Sequence, residues 1–375
     1  MRILHIITSL GDGGAELTLY KICKYDKKNK HIVISLKDKG KYFSLLNKLD
    51  IEVYNLNINI FSLYKFFFLI KIIRSLKPNI VQTWLVHADF LGGIASRLAG
   101  IKNIIWNIRY SNIEIGKSKL STIFIIIVLS KLSYIIPQSI IIVSKKAKEI
   151  YEKKGYDKKK FKFIPNGYDL SILKINRIQK INFRKKINIK KKIPLIGTVA
   201  RYDPQKDHLN LLNALSLIRS KNIDFSCILI GSNVDQKNID LVSQIKKLKL
   251  SNFVRLLGRS QNISKVMNGL DLHILSSSYG EGFPNVIAES MACGTPCIAT
   301  NVGDAAFIVG QSGWIVPPND PIKLSKAIEI ALKELGTIKW KKRCIISRLS
   351  IKEKFSLNKM LKSYNKVWIK VNKNK

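Results

Sequence analysis

The run from Tyr279 to Gly310, YGEGFPNVIAESMACGTPCIATNVGDAAFIVG, dictates a particular local architecture. An apolar, strand-like segment, Leu270–Ser276, enters it, and a second, Cys297–Thr300, follows. Between them a short helix opens at Pro284 or Asn285, because proline suits the first helical turn, and Gly294 stops it. Strand, loop, helix, strand is the repeating unit of a parallel sheet. The helix start offers unpaired N–H groups to an anion or a sugar oxygen. Two carboxylates flank that turn, Glu281 before the helix and Glu289 inside it.

The same alternation runs through the whole chain, which is the pattern of parallel sheets wrapped by helices. It predicts strands at Ile3–Thr8, His31–Ser35, Glu52–Asn55, Ile80–Thr83, Ile104–Asn107, Ile140–Val143 and Phe161–Pro165. A second set is predicted at Leu195–Ala200, Ser226–Ile230, Val254–Leu257, Leu272–Ser276, Pro296–Thr300 and Gly313–Val316. Residues 171–192 show no strand alternation and are rich in lysine, isoleucine and asparagine, so they read as a linker. With 375 residues there is material for two cores of ordinary size. The tail from Lys339 carries Trp340 and Trp368 in an amphipathic helical pattern.

Two features compete to define partners. The formal net charge of +40, spread over both halves, points to polyanions or an anionic membrane surface. No zinc finger, basic zipper or aromatic RNA-binding signature accompanies it, so nucleic acid is not expected. Ile123–Val143 contains only Lys131 as a charge, but Pro137 interrupts it. It reads as a buried helix to about Ser133 followed by a strand, not as a span of roughly 20 apolar residues. Met1–Thr8 reads as a strand and not as a signal peptide. Five cysteines, an odd number, give no disulfide framework, and Cys293 and Cys297 have no histidine nearby to complete a zinc set.

Three further segments carry candidate chemistry. Ser9–Glu16, SLGDGGAE, follows the first strand; Gly11, Gly13 and Gly14 permit positive φ and close approach of a ligand, and Glu16 begins a helix. Its spacing is not a dinucleotide fingerprint. Arg201 and Lys206 lie on the loop after strand Leu195–Ala200, where a guanidinium fork and an ammonium can reach one pyrophosphate. His87 lies just past strand Ile80–Thr83, and Arg109 ends the strand after it, facing an acceptor or the surface equally well. No Asp-x-Asp occurs, so the pair that usually lets a divalent ion bridge a diphosphate is missing. Neither G-x-S-x-G nor H-E-x-x-H is present, which leaves hydrolase and metallopeptidase readings without support.

Taken together, the 279–310 string, the GGAE loop, the TWLVHADFLGGIASRLAG segment around His87 and the Arg201/Lys206 pair resemble retaining glycosyltransferases of family 4, from Gly11 to about Ala331. The resemblance implies an α/β GT-B fold, two Rossmann-like parallel-sheet domains facing an interdomain cleft, with a C-terminal helix crossing back to the first. It implies an acceptor-binding domain at 1–170, a linker at 171–192, a nucleotide-sugar domain at 193–350 and the returning helix at 351–375. Gly13 and Gly14 would lie over the donor phosphates, and Arg201 and Lys206 would hold the pyrophosphate. Glu281 with Gly282, Phe283, Pro284 and Asn285 would grip the donor sugar, and Glu289 would bond the ribose. His87 would orient a sugar hydroxyl, Leu257–Gln261, with Gly258 and Arg259, would meet the base, and Glu16 and Arg109 would stand on the acceptor side. The catalytic set is thus His87, Arg201, Lys206 and Glu281.

The implied function is transfer from a nucleotide diphosphate sugar, chiefly a UDP-sugar, to a glycan or lipid-linked glycan in surface-polysaccharide synthesis, O-antigen or capsule, without a metal or other cofactor. The implied location is cytoplasmic, peripheral on the inner membrane face. Segment Ile60–Lys77, aromatic and basic, is the candidate membrane contact. Rival readings are a same-fold nucleotide-sugar epimerase or phosphorylase, and a non-catalytic nucleic-acid or membrane binder.

Overall fold

A computed structural model describes residues 1–37, 39–58, 63–109 and 120–373, with Leu63 described by its backbone alone. The chain forms two compact units, one of residues 1–167 with 358–375 and the other of 168–357.

In the first unit, strands β1 (Arg2–Ile7), β2 (Lys30–Ser35), β3 (Glu52–Asn55), β4 (Ile80–Trp84), β5 (Ile104–Ile108), β6 (Ser139–Ile142) and β7 (Phe161–Phe163) make one sheet. All pairings are parallel, in the order β3-β2-β1-β4-β5-β6-β7. The connecting helices are α1 (Gly14–Tyr25), α2 (Lys41–Asn47), α3 (Leu63–Leu76), α4 (Val86–Leu98), α5 (Leu120–Leu132) and α6 (Lys145–Lys153). β-branched runs such as HIVIS and IVQTW are buried end to end, as strands covered on both faces must be. Leu4, Ile6, Ile32, Ile34 and Val81 meet Leu69, Ile73, Ala88 and Ala95 of α3 and α4. Trp106, Ile140 and Ile142 meet Ile126 and Leu129 of α5.

The second unit repeats the plan with α7 (Arg177–Lys186), β8 (Leu195–Val199), α8 (His208–Arg219), β9 (Ser226–Ile230), α9 (Ile239–Lys247), β10 (Val254–Leu256), α10 (Ile263–Gly269) and β11 (Leu272–Leu275). It continues with α11 (Asn285–Ala292), β12 (Cys297–Thr300), α12 (Ala305–Val309), β13 (Trp314–Val316), α13 (Pro321–Glu334) and α14 (Ile338–Lys354). Its parallel sheet runs β10-β9-β8-β11-β12-β13. The strand order reverses direction between β1 and β4 in one unit and between β8 and β11 in the other. Open α/β sheets bind ligands outside the carboxyl ends of the strands at such a point.

All thirteen expected strands are present within a residue or two of the bounds read from the pattern. Three other expectations need correcting. Residues 171–192 are not a bare linker, because α7 packs into the second unit through Phe183, and Arg184 Nη1 pairs with Asp271 Oδ2 at 2.8 Å. Helix α5 is only partly buried; Leu120, Phe124 and Ile127 are exposed, Ile126, Leu129 and Ser130 are covered, and Ile125 and Leu132 pack partly covered against the core. A helix apolar on every side hides no preferred face, so its periodicity was silent about burial. Gly11, Gly13 and Gly14 do not adopt positive φ. Of segment Ile60–Lys77, residues 60–62 lie outside the described residues. Among the described residues no helix is long and apolar enough to cross a membrane.

The last helix, α15 (Leu357–Lys373), joins the first unit from Asn358 onward. Trp368 Nε1 donates to Gln82 Oε1 at 2.7 Å, Asn107 Nδ2 donates to Tyr364 Oη at 2.9 Å, and Asn29 Nδ2 donates to Asn365 Oδ1 at 2.9 Å. Tyr364 stacks on Trp84. The helix therefore supplies partners for polar groups that β4 and β5 would otherwise leave orphaned in the interior. Helix α14, with Trp340, stays in the second unit against Trp314.

His273, at the centre of β11, is fully buried, and burial pushes its pKa down to about 3 from 6.5. It is neutral in the fold, while the unfolded chain takes up a proton once the pH drops below its ordinary value. Its contribution is complete above about 6.5 and drains away as pH falls toward the folded value, at about 1.4 kcal/mol per pH unit. Urea unfolding followed through Trp314 and Trp340 should show this slope between pH 6.5 and 4.5, and His273→Gln should shallow it. A variant with an unchanged slope would show the histidine to be irrelevant to acid stability.

Candidate active site

At the β8/β11 switch point the chain leaves each strand into a polar loop. After β8, Asp203 caps a single 3-10 turn, Pro204–Lys206, by accepting from Gln205 N at 2.9 Å. Asp207 follows with φ 47° and caps α8 through Asn210 N at 3.1 Å. These two caps aim Lys206 at the neighbouring loop. Its Nζ lies 2.5 Å from Glu281 Oε1, with the lysine side chain 15% and the carboxylate 8% exposed. Ser277 Oγ donates to the same carboxylate oxygen at 2.6 Å, while Thr300 Oγ1 donates to Ser277 O at 2.6 Å. Ser276 Oγ and Ser278 N close the loops further by donating to Lys206 O and Gln205 O, each at 2.9 Å.

Arg201 is different. Its side chain is 57% exposed, and Nε donates to Asp203 Oδ2 at 2.9 Å. Burial opposes ionisation of Asp203, but the Gln205 N–H and the Arg201 guanidinium outweigh it and hold its pKa below the ordinary value. An ammonium has three donors, so Lys206 retains two after bonding Glu281. An exposed guanidinium and a half-committed ammonium on one loop are suited to a diphosphate.

The turn after Glu281 is held from behind. Asp304 N donates to Gly282 O at 2.9 Å, and Gly303, at φ 60°, lies so close that a Cβ would fall 2.1 Å from Glu281 O. Phe283 is buried edge-on against Phe355. Pro284 stands at the N-cap, Asn285 opens α11, and Tyr168 Oη donates to Asn285 Oδ1 at 2.6 Å. Glu289 is half-buried one turn further on. Gly258, at φ 65°, shapes the loop after β10 by accepting from Gly231 N and donating to Val234 O, and Arg259 beside it is exposed. The structure thus brings Arg201, Lys206 and Glu281 together at one switch point. Ser277, Thr300, Asp203 and Gly303 were not singled out by sequence; small hydroxyls after an apolar strand were the only hint.

At the β1/β4 switch point of the first unit, Gly13 is the N-cap of α1, and a Cβ there would meet Glu16 Oε2 at 2.5 Å. Gly14 opens the helix and Glu16 sits in its first turn, buried; burial raises its pKa, opposed by Arg109 and Ser9. His87 is the second residue of α4, half-buried, after Leu85 turns the chain at φ 72°. Arg109 does not project freely, since its Nη2 donates to Thr18 Oγ1 at 2.8 Å and to Asn166 Oδ1. Asp89 is fully buried and pushed up to about 7 by burial, against hydrogen bonds from Thr83 Oγ1 and Asn107 N.

One cluster with metal-ligand chemistry occurs among the described residues, His5, Cys23 and His31, with ligating atoms within 4.8 Å. The Trp84 indole can only donate, and it donates to His5 Nδ1 at 3.2 Å. His5 Nε2 then carries the proton and donates to His31 Nδ1 at 3.0 Å, leaving His31 Nε2 to face Asp26 at 3.3 Å. Burial also pushes the Cys23 thiol up. Three of the four imidazole nitrogens are thus engaged in hydrogen bonds, and the fourth faces the Asp26 carboxylate.

Comparison with known proteins settles what scaffold this is. Residues 12–172 match the family model of Glycosyltransferase Family 4, and residues 179–345 match that of glycosyl transferases group 1. Each half of the chain thus matches a glycosyltransferase family model. A UDP-Gal:alpha-D-GlcNAc-diphosphoundecaprenol alpha-1,3-galactosyltransferase of Escherichia coli is 26% identical over 67% of this chain and 66% of its own. The putative glycosyltransferase EpsF of Bacillus subtilis is 26% identical over 40% of this chain and 39% of its own. The matches thus span less than two thirds of these relatives' lengths. Anabaena HepE, solved with UDP, superposes with a TM-score of 0.87 at 22% identity, covering 99% of this chain and 100% of that one. A Rickettsia africae glycosyltransferase gives 0.87 at 24% identity, covering 100% and 99%. The GT-B fold of this chain is thereby established.

Because Gly303 backs the Glu281 turn with no room for a side chain, Gly303→Ala should cost roughly 1–3 kcal/mol by overpacking against backbone. The urea midpoint of the full chain reads this. A wild-type midpoint would mean the turn is free to move aside.

Proposed function

We propose that this chain transfers a sugar from a nucleoside diphosphate donor, a UDP-sugar, to a glycan or lipid-linked glycan acceptor in surface-polysaccharide synthesis, with retention at the anomeric carbon and without a divalent ion. The single observation that carries the reading is the Arg201–Lys206–Glu281 constellation at the β8/β11 switch point. Similarity to a galactosyltransferase acting on a diphosphoundecaprenol-linked sugar, and to a Staphylococcus aureus capsular polysaccharide glycosyltransferase, supports the acceptor class, O-antigen or capsule. The likeness to HepE, solved with UDP and with UDP-glucose, supports the donor.

In this reading the diphosphate lies across Arg201 and the two remaining N–H donors of Lys206. As the glycosidic bond lengthens, negative charge grows on the β-phosphate, and prearranged cations stabilise it most at that moment. The cationic pair takes the part a metal bridge would otherwise play, in a chain with no Asp-x-Asp. Glu281, pinned by Ser277, and the Gly282–Asn285 turn hold the donor sugar, and Glu289 holds the ribose. Within the first unit, His87 and the Gly13–Gly14 turn are assigned to the donor and Glu16 to the acceptor by the family resemblance. Arg109 organises Thr18 and Asn166 beneath that loop. The two glutamates are not a glycosidase pair, since one serves the ribose. A cytoplasmic protein peripheral on the membrane fits the exposed Tyr64, Phe67 and Phe68 of α3 beside Lys65, Lys71 and Arg74.

Sugar transfer from UDP-sugars, followed by mass spectrometry after exhaustive treatment with EDTA, tests the chemistry. Activity should persist, and Arg201→Ala should lower turnover roughly tenfold to a hundredfold, the weight of one charge-assisted bond of about 1.5–3 kcal/mol. Restoration of lost activity by magnesium or manganese, or full turnover in Arg201→Ala, overturns this phosphate model.

The two glutamates should separate in calorimetric titrations of UDP. Glu289→Ala should weaken UDP binding, because its partner belongs to the nucleotide, whereas Glu281→Gln should leave UDP affinity nearly intact and depress transfer. Equal losses in both variants would contradict the division of roles.

A further inference from the structure

At the opposite end of the first sheet, where the chain enters β4 and β5, lies an open cavity of about 570 Å³ lined by Arg74, Lys77, Asn79, Gly100, Lys102 and Asn103 among others. It is remote from the switch point of its own unit. Strands of five residues separate it from the loop bearing His87, about 16 Å at the usual rise.

The hydrogen bonding around this cavity is one-sided. Asn79 Oδ1 accepts from Arg2 N at 2.7 Å, and Asn79 O accepts from Asn103 Nδ2 at 3.0 Å. Asn103 Oδ1 accepts from Gln138 Nε2 at 3.3 Å, and Asn103 O from Val81 N at 3.0 Å. Leu98 O, at the rim, accepts from Arg74 Nη2 at 2.7 Å, which also fixes where that guanidinium points. The acceptors are thus engaged within the protein. Of the three cations in the lining, Arg74, Lys77 and Lys102, Arg74 is held by a neutral carbonyl, and the lining has no carboxylate. Among the described residues neither lysine ammonium lies within ion-pair distance of an acidic group. Such a surface repels itself unless an anion joins it. Lys77 is held at φ 42° and Gly100 at φ 87°, so the two turns that present the cations are set by backbone geometry.

We propose that this cavity binds a phosphate-bearing anion, a diphosphate or phosphate monoester, at a second site separate from the donor pocket. Three cations around one concavity call for a multiply charged anion with several oxygens, and the guanidinium supplies a planar fork suited to phosphate. The cavity is larger than one phosphate needs, so the group carries a substituent. The exposed face of α3 runs from Tyr64, Phe67 and Phe68 through Lys71 to Arg74, directly to the rim. The anion can therefore be a lipid headgroup or a soluble phosphate ester.

The test is calorimetric titration of pyrophosphate into the full chain saturated with UDP at about 150 mM salt, where long-range attraction is screened. The Arg201→Ala chain is run alongside, so that the outcome does not depend on the donor reading. The substitutions R74Q, K77Q and K102Q, combined and all at exposed positions, should weaken pyrophosphate at least tenfold. A control combining K27Q, K153Q and K154Q removes the same charge elsewhere on the unit and should bind as wild type does. Equal affinity in the two triple variants, or no binding by the wild type, overturns the site. Flotation with phosphatidylcholine vesicles containing phosphatidic acid then separates the sources. Capture lost only in the cavity variant assigns a lipid phosphate; unchanged capture with lost pyrophosphate binding assigns a soluble ester.

Discussion

The contact between Lys206 and Glu281 is the interaction on which the candidate site depends. Each side chain comes from a loop leaving a different strand, and those strands are neighbours only because the sheet reverses its order there. Both groups are largely withdrawn from water, so neither tolerates loss of the other; a buried charge left without its partner costs about 3–5 kcal/mol. The hydroxyl of Ser277 donates to the same carboxylate, and Gly303 packs against the backbone carbonyl of Glu281. A site so tied is rigid before any ligand arrives, which is what electrostatic stabilisation of a developing charge requires.

The first unit meets a different constraint with the same topology. Its strands carry polar residues on one face, His5, Gln82 and Asn107, where a plain doubly wound sheet would bury aliphatics. The consequence is visible in α15, whose Tyr364 and Trp368 return to answer Asn107 and Gln82, while its Asn365 accepts from Asn29. Asp26 anchors the network; burial disfavours its charge, but hydrogen bonds from His31, Asn29 and Lys28 prevail and hold its pKa near 2. The returning helix is thus an integral part of the first unit's core, and its polar residues serve specificity of docking as much as burial.

What was legible in the sequence follows from what periodicity and turn chemistry encode. Strands buried on both faces write themselves as β-branched runs, so all thirteen could be read off, as could the helix stop at Gly294 with its φ of 76°. The pattern was blind where hydrophobicity lacks a period: α5 is apolar all round yet half exposed, and 171–192 hides a helix among lysines. The glycines of the first loop were legible as glycines, but not their conformation, since none of the three adopts a positive φ.

By itself the sequence determined the class of fold, the family resemblance and the identity of the cations and carboxylates in the loops, because those depend on local order along the chain. Only the tertiary structure decided which of them meet. Strand order is a long-range property, and it places the loop after β8 beside the loop after β11, so Lys206 finds Glu281 across 75 residues of chain. It ties Arg109 to Thr18 and Asn166 in place of a free surface, and it gathers Arg74, Lys77 and Lys102 around one cavity. Charges scattered through a lysine-rich sequence carry no such information until the backbone brings them within reach of one another.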